Sequence, residues 1–193
     1  MLLDLSLPID ISEIPNDDPG HALGHVGTHF DVMEGRFPID SFRTSGILVD
    51  ISRIRDREVE IADLDGYAVP EGAMVIFHTG FMAELGYGLG EYNRQSANLS
   101  DALVNFLLLD RKVKLIGVDA AGIQKPKKHL AVDMLCASHN VFVVENLANI
   151  PELLRANPSP LTVYTMPLSY RGLTGLPCRV LGHGLISVEP ESC

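Results

Sequence analysis

A chain of 193 residues, 46% hydrophobic and 21% charged, has the composition of one ordinary globular domain, 1–193, able to bury a proper core. Its formal charge of −10 excludes a general nucleic-acid or anionic-membrane binder, because such partners are held by a surplus of Lys and Arg. Cys136, Cys178 and Cys193 form no CxxC pair, the N-terminus lacks a basic leader region and no run reaches the ~20 apolar residues of a membrane helix, so reduced thiols and a cytoplasmic location are expected.

Residues 2–9 (LLDLSLPI) alternate enough to predict a first strand, stopped by Pro8 and followed by an acidic, proline-containing loop over 10–20. His21 reads as a surface or capping histidine. Residues 24–31 (GHVGTHFD) hold His25, His29 and Asp31, which together suit Zn²⁺, Mn²⁺ or Fe²⁺ better than the oxygen-seeking Ca²⁺ or Mg²⁺. His29 and Asp31, two apart, would share one face of a strand. The same residues also fit a glycine-rich turn with solvated histidines. A loop over 32–38 follows.

Apolar strands are predicted at 46–51 (GILVDI), 73–78 (AMVIFH), 113–119 (VKLIGVD), 141–145 (VFVVE) and 161–166 (LTVYTM), with a hairpin or paired strands over 175–188. Ser100 should cap a helix running through Asp110, with Leu103, Phe106 and Leu107 on its buried stripe. Further helices are expected over 130–138 and after Asn149. His78 ends one strand and reads as a satisfied rim histidine. Gly86 and Gly90 lack the following Lys-Ser/Thr of a phosphate loop, and Lys125, Lys127 and Lys128 read as a solvated patch. Glu145 ends a run of valines, where a carboxylate is costly unless paired, metal-bound or at a rim. Strands interspersed with helices give a mixed α/β domain, a mostly central sheet flanked by helices.

These residues carry a family likeness. The chain resembles the cyclase-like metal-dependent hydrolases that include bacterial kynurenine formamidase and isatin hydrolase, whose signature is His-x-Gly-Thr-His-x-Asp-x-Pro-x-His. Residues 25–31 match its first seven positions. The likeness continues through Asp4-Leu5-Ser6 with Pro8-Ile9, residues 75–81, 114–119 and 143–147, Met166-Pro167-Leu168 and residues 175–179. The resemblance implies the cyclase-like swivelling β/α fold. It implies His25, His29, Asp31 and Glu145 as ligands of a first metal, with Asp31 and Glu145 able to bridge to a second.

Where the family places a second-site histidine, this chain has Asp133, with His129 one helical turn before it. Where the family has Pro and then its proton-shuttling histidine, this chain has Met33 and Gly35. Glu34 and His129 are then the candidate catalytic acid–base residues. The family's Trp-Pro-Gly substrate segment has no counterpart, since the chain contains no tryptophan. What the resemblance implies is a hydrolase of a small amide or cyclic amide using one or two Zn or Mn ions and a metal-activated water, in a homodimer or homotetramer. The alternative is a catalytically impaired relative that binds metal or a small molecule.

Overall fold

The computed structural model describes residues 1–10, 12, 20, 23–88 and 90–185. Among these, eight strands form one sheet: β1 (Leu2–Asp4), β2 (His29–Asp31), β3 (Arg43–Asp50), β4 (Met74–His78), β5 (Leu115–Val118), β6 (Phe142–Glu145), β7 (Leu161–Pro167) and β8 (Gly175–Gly184). Their order is β1-β8-β2-β6-β5-β4-β3-β7, and β7 also pairs with β8. The sheet therefore closes on itself, barrel-like, and β1 shares with β2 the second edge of β8. Closure removes the free edges an open central sheet would leave.

The middle of the sheet, β3 to β6, is parallel. Every residue of β4, β5 and β6 is buried, as expected of parallel strands covered on both faces. Side-chain alternation splits the core in two. Phe30, Met74, Ile76, Leu115, Phe142, Val144 and Val163 fill the inside. Val75, Phe77, Ile116, Val118 and Val143 face outward, where the helices pack on them.

Two helices matter for the site. Ser100 caps α2 (Asp101–Asn105; α1 is Phe81–Leu85), accepting from the Leu103 amide at 3.1 Å, and the helix continues as a π-turn over Phe106–Asp110. The predicted helix to Asp110 is thus present, with a widened second half. Helix α3 (His129–Ser138) buries Val132, Asp133 and Cys136 against the outer face of the sheet. A short α4 (Ile150–Ala156) follows β6.

Three boundaries differ from the sequence expectation. The first strand stops at Asp4, because Ser6 instead bridges to Leu147 beyond β6. The strand expected at 46–51 starts earlier, at Arg43, because residues 43–46 pair with β7 ahead of the β4 pairing that begins at Gly46. The C-terminal segment is not a hairpin but one ten-residue strand, long enough to serve β7 on one edge and both β1 and β2 on the other. Most of the acidic loop, His21 and residues 186–193 lie outside the described residues.

Candidate metal centre

Three residues of β2 separate two environments. Phe30 points into the barrel, and His29 and Asp31, two apart, point outward beneath α3. His29 lies directly across from Glu145 on β6 and from Pro177 on β8. His25 reaches the same place from the preceding loop. That loop is pressed onto β8: a Cβ on Gly24 would sit 2.0 Å from the Gly175 carbonyl oxygen, so only glycine fits, and its φ of +90° suits glycine as well.

The donor atoms converge closely. His25 Nδ1 lies 3.0 Å from His29 Nε2, the two imidazoles lie 3.1 and 3.2 Å from Asp31 Oδ1, and His29 Nε2 is 3.5 Å from Glu145 Oε2. A tetrahedral ion with bonds of about 2.0–2.1 Å has ligand–ligand edges of about 3.3 Å. The spacing therefore suits such an ion.

The tautomer of His29 is settled by a carbonyl. Its Nδ1 is 2.9 Å from the Gly27 oxygen, which can only accept, so Nδ1 carries a hydrogen and Nε2 is the nitrogen turned to Asp31 and Glu145. His25 Nε2 is anchored 2.9 Å from Thr174 Oγ1, leaving its Nδ1 aimed at His29.

A second cluster adjoins the first. Asp31, His129, Asp133 and Glu145 also bring one ligand atom each within 4.8 Å of the others. His129 Nε2 is 3.0 Å from both Asp133 Oδ2 and Glu145 Oε1. His129 and Asp133 stand four apart on one face of α3. Gly122 leaves the room they need, since a Cβ there would meet the His129 ring at 2.9 Å and Glu145 Oε1 at 3.3 Å.

The chemistry of these atoms fits a cation. Both oxygens of Asp31, both of Asp133 and Glu145 Oε1 are buried with no hydrogen-bond donor beyond the neighbouring imidazoles, an arrangement that costs free energy unless something positive sits among them. Exposure is divided as well. The carboxylate side chains are 1–5% exposed, whereas those of His25 and His129 are 27% and 31% exposed. Carboxylates form the floor and imidazoles the rim.

Without an ion the acids lean on the histidines. Burial disfavours charge on His29, but Asp31 and Glu145 outweigh it and raise its pKa to about 9. His129 follows the same pattern, opposed by burial and lifted by Asp133 and Glu145 to about 11. Burial works to raise Asp31, yet His29 beside it and the hydrogen bonds from His25 and His29 hold it well below the usual carboxylate range. Asp133 goes the other way. Its burial, with Asp31 and Glu145 nearby, exceeds what His129 can offset and pushes it up to about 7.

The five predicted ligands, His25, His29, Asp31, Asp133 and Glu145, thus come together, and His129 joins them as a member of the second cluster. Glu34 does not. It is exposed on the loop after β2 and belongs to neither cluster. At Gly35 a Cβ would meet the Phe142 ring at 3.1 Å, so a larger residue there would press on the inner core. Gly35 instead helps line a cavity of about 680 Å³ with Arg36, Phe37, Phe42, Tyr170 and Arg171. No residue of either cluster borders that cavity.

His78 is satisfied, as expected, by Asp119 Oδ2 at 2.8 Å. Lys128 of the basic patch pairs with exposed Asp101. Sequence reasoning missed Thr174, Gly122, Tyr92 and Asn146. Thr174 carried no local signal, whereas Asn146, adjoining a suspect glutamate, did.

Comparison with known proteins gives the family and the fold. The Cyclase family model, described as "Putative cyclase", matches residues 3–125. Among solved structures the chain is similar to isatin hydrolase A from Labrenzia aggregata bound to benzyl benzoate, with 19% identity and a TM-score of 0.73, covering 94% of this chain and 93% of that one. Isatin hydrolase A from Ralstonia solanacearum follows at 20% identity and 0.72, covering 94% and 91%. A "predicted metal-dependent hydrolase" from Bacillus stearothermophilus stands at 19% and 0.67, covering 94% and 97%. No curated protein matches the chain. At these identities the structural likenesses show the fold.

Proposed function

Because the chain belongs to the cyclase family, we propose that it is a metal-dependent hydrolase of a small amide or cyclic amide, holding Zn²⁺ or Mn²⁺ in the paired clusters. The observation that carries this reading is the set of five buried carboxylate oxygens, contributed by Asp31, Asp133 and Glu145, that find no hydrogen-bond donor beyond the imidazoles of the same clusters. His25, His29, Asp31 and Glu145 would hold a first ion. His129, Asp133 and the far sides of Asp31 and Glu145 would hold a second. A divalent ion in such a site lowers the pKa of water towards ~7 and polarises a carbonyl.

The chain's own part is positioning and proton handling. Gly27 and Thr174 fix the imidazoles of His29 and His25 at their far nitrogens, so neither ring needs to reorient when substrate arrives. With the first cluster alone loaded, His129 Nε2 holds a proton 3.0 Å from Asp133 Oδ2 and Glu145 Oε1. That proton is this chain's replacement for the one the family's missing histidine would shuttle through position 35. Exposed apolar side chains Ile39, Phe42, Leu168 and Tyr170, gathered near the 680 Å³ cavity, support self-association as a homodimer or homotetramer.

Gly35 favours a second reading. A centre that binds metal without a proton donor at that position serves as a binding protein for metal or a small ligand. Hydrolysis assays on formyl-aryl amides, lactams and isatin-type cyclic amides with added Zn²⁺ or Mn²⁺ separate the two. Turnover abolished in Glu145→Ala of unchanged fold supports the enzyme. Metal uptake with no turnover across the panel supports the binder.

A further inference from the structure

The peptide between His25 and His29 is held at both ends by residues outside both clusters. Gly27 N–H donates to Tyr87 Oη at 2.9 Å. The Gly27 oxygen accepts from His29 Nδ1–H and also from Asn146 Nδ2, both at 2.9 Å. Asn146 could present its amide either way round, but the Gly27 oxygen can only accept, so Nδ2 must face it and Oδ1 faces Tyr92. The Tyr92 hydroxyl donates to Asn146 Oδ1 at 2.7 Å.

The backbone of Asn146 is committed as well. Its carbonyl accepts from Thr28 Oγ1 at 2.7 Å, and that hydroxyl in turn accepts from the Leu7 amide at 2.8 Å. Asn146 therefore grips Gly27 and Thr28, two of the three residues that separate His25 from His29, while being the residue directly after Glu145. Its φ of +57° explains why asparagine, tolerant of left-handed backbone, stands there. Tyr92 is fully buried and Asn146 nearly so. One buried polar side chain, backed by a second from a separate segment, thus holds the carbonyl that orients an imidazole.

We infer that Tyr92 and Asn146, with Tyr87 at the Gly27 amide, are positioning residues that fix the ring and tautomer of His29 and lock the His25–His29 loop to Glu145. This inference rests on the metal-binding reading of the centre. Partners that orient a ligating imidazole are typically worth about 10–100-fold in metal affinity. Tyr92→Phe removes only the hydroxyl and leaves the buried Asn146 Oδ1 without its donor. Asn146→Gly removes the side chain but keeps the backbone conformation available. Glycine thus separates the loss of the clamp from backbone strain.

The test is Zn²⁺ affinity by chelator competition, the absorption spectrum of the Co²⁺-loaded protein and the thermal midpoint of the metal-free protein, for parent, Tyr92→Phe, Tyr87→Phe and Asn146→Gly. Expected is an affinity loss of about 10-fold in Tyr92→Phe, up to about 100-fold in Asn146→Gly and a smaller loss in Tyr87→Phe. The Co²⁺ bands should be altered in all three. Variants that bind within about twofold of the parent, with its spectrum, overturn the inference even if their thermal midpoints fall, because the residues are then only structural. A parent that takes up no metal overturns the metal-binding reading along with it.

Discussion

The two faces of β2 are built on opposite principles. Phe30, on the inner face, is fully buried against Phe142 and Phe37, ring centroids 4.8 and 5.1 Å away, and needs nothing more. His29 and Asp31, on the outer face one residue either side, are almost as deeply buried but surrounded by charge without enough hydrogen bonds. Packing satisfies the first face. The second is satisfied only by a guest, which is how a binding centre differs from a core.

Truncating each face should separate them most sharply. Phe30→Ala is expected to lower unfolding free energy by about 3–5 kcal/mol while leaving the ligand atoms in place. His29→Ala should reduce Zn²⁺ affinity by more than about 10²-fold, beyond any change in an orienting partner, whereas Phe30→Ala should leave affinity near that of the parent. Urea unfolding and chelator competition on both variants check the contrast. If the two substitutions have interchangeable effects, the two faces do not differ as described.

Protons should compete with metal on the outer face alone. The His29 pKa is raised from 6.5 to about 9. Its charged form therefore stabilises the metal-free protein fully below about pH 6.5, and this contribution is lost as pH rises through about 9. Metal needs the same nitrogen unprotonated. Affinity should therefore climb across that window, by up to about tenfold per pH unit for each proton displaced. Competition titrations at several pH values between 6 and 9 test it, and a flat profile would show that His29 is not displacing a proton.

Asp133→Asn should change sign with loading. The carboxyl is raised from 3.8 to about 7, so its ionised form weighs against folding above that pH. At pH 8 without metal the asparagine variant should be more stable by roughly 1–3 kcal/mol. With metal it should lose the advantage. Glu34→Gln marks the other end of the scale. That residue is exposed and apart from both clusters, so stability should change by less than about 0.5 kcal/mol and turnover should be unchanged.

Much of this was legible in the chain. The runs ending at His78, Asp119 and Glu145 announced buried strands, because burial on both sides leaves no polar alternation to confuse the reading. His29 and Asp31 followed from a period of two, and Glu145 from the cost of ending a valine run with an acid. Closure of the sheet was not legible, because it depends on β7 and β8 meeting across the whole chain, a pairing no local pattern encodes. Tyr92 and Asn146 were hidden for a related reason. Their importance lies in a shared carbonyl, Gly27, and a backbone oxygen carries no signature in sequence. Position 35 was read correctly as lacking a histidine, but the sequence could not show the Phe142 ring beside it.

Metal stoichiometry tests the central claim most directly. Protein loaded with excess Zn²⁺ or Mn²⁺, freed of loose ions and weighed intact by native mass spectrometry, should hold about two ions per chain, as paired sites bridged by shared carboxylates do. His129→Ala should retain about one, and His29→Ala should lose the first-site ion. A parent protein that holds none, or variants that hold as many ions as the parent, would contradict the account.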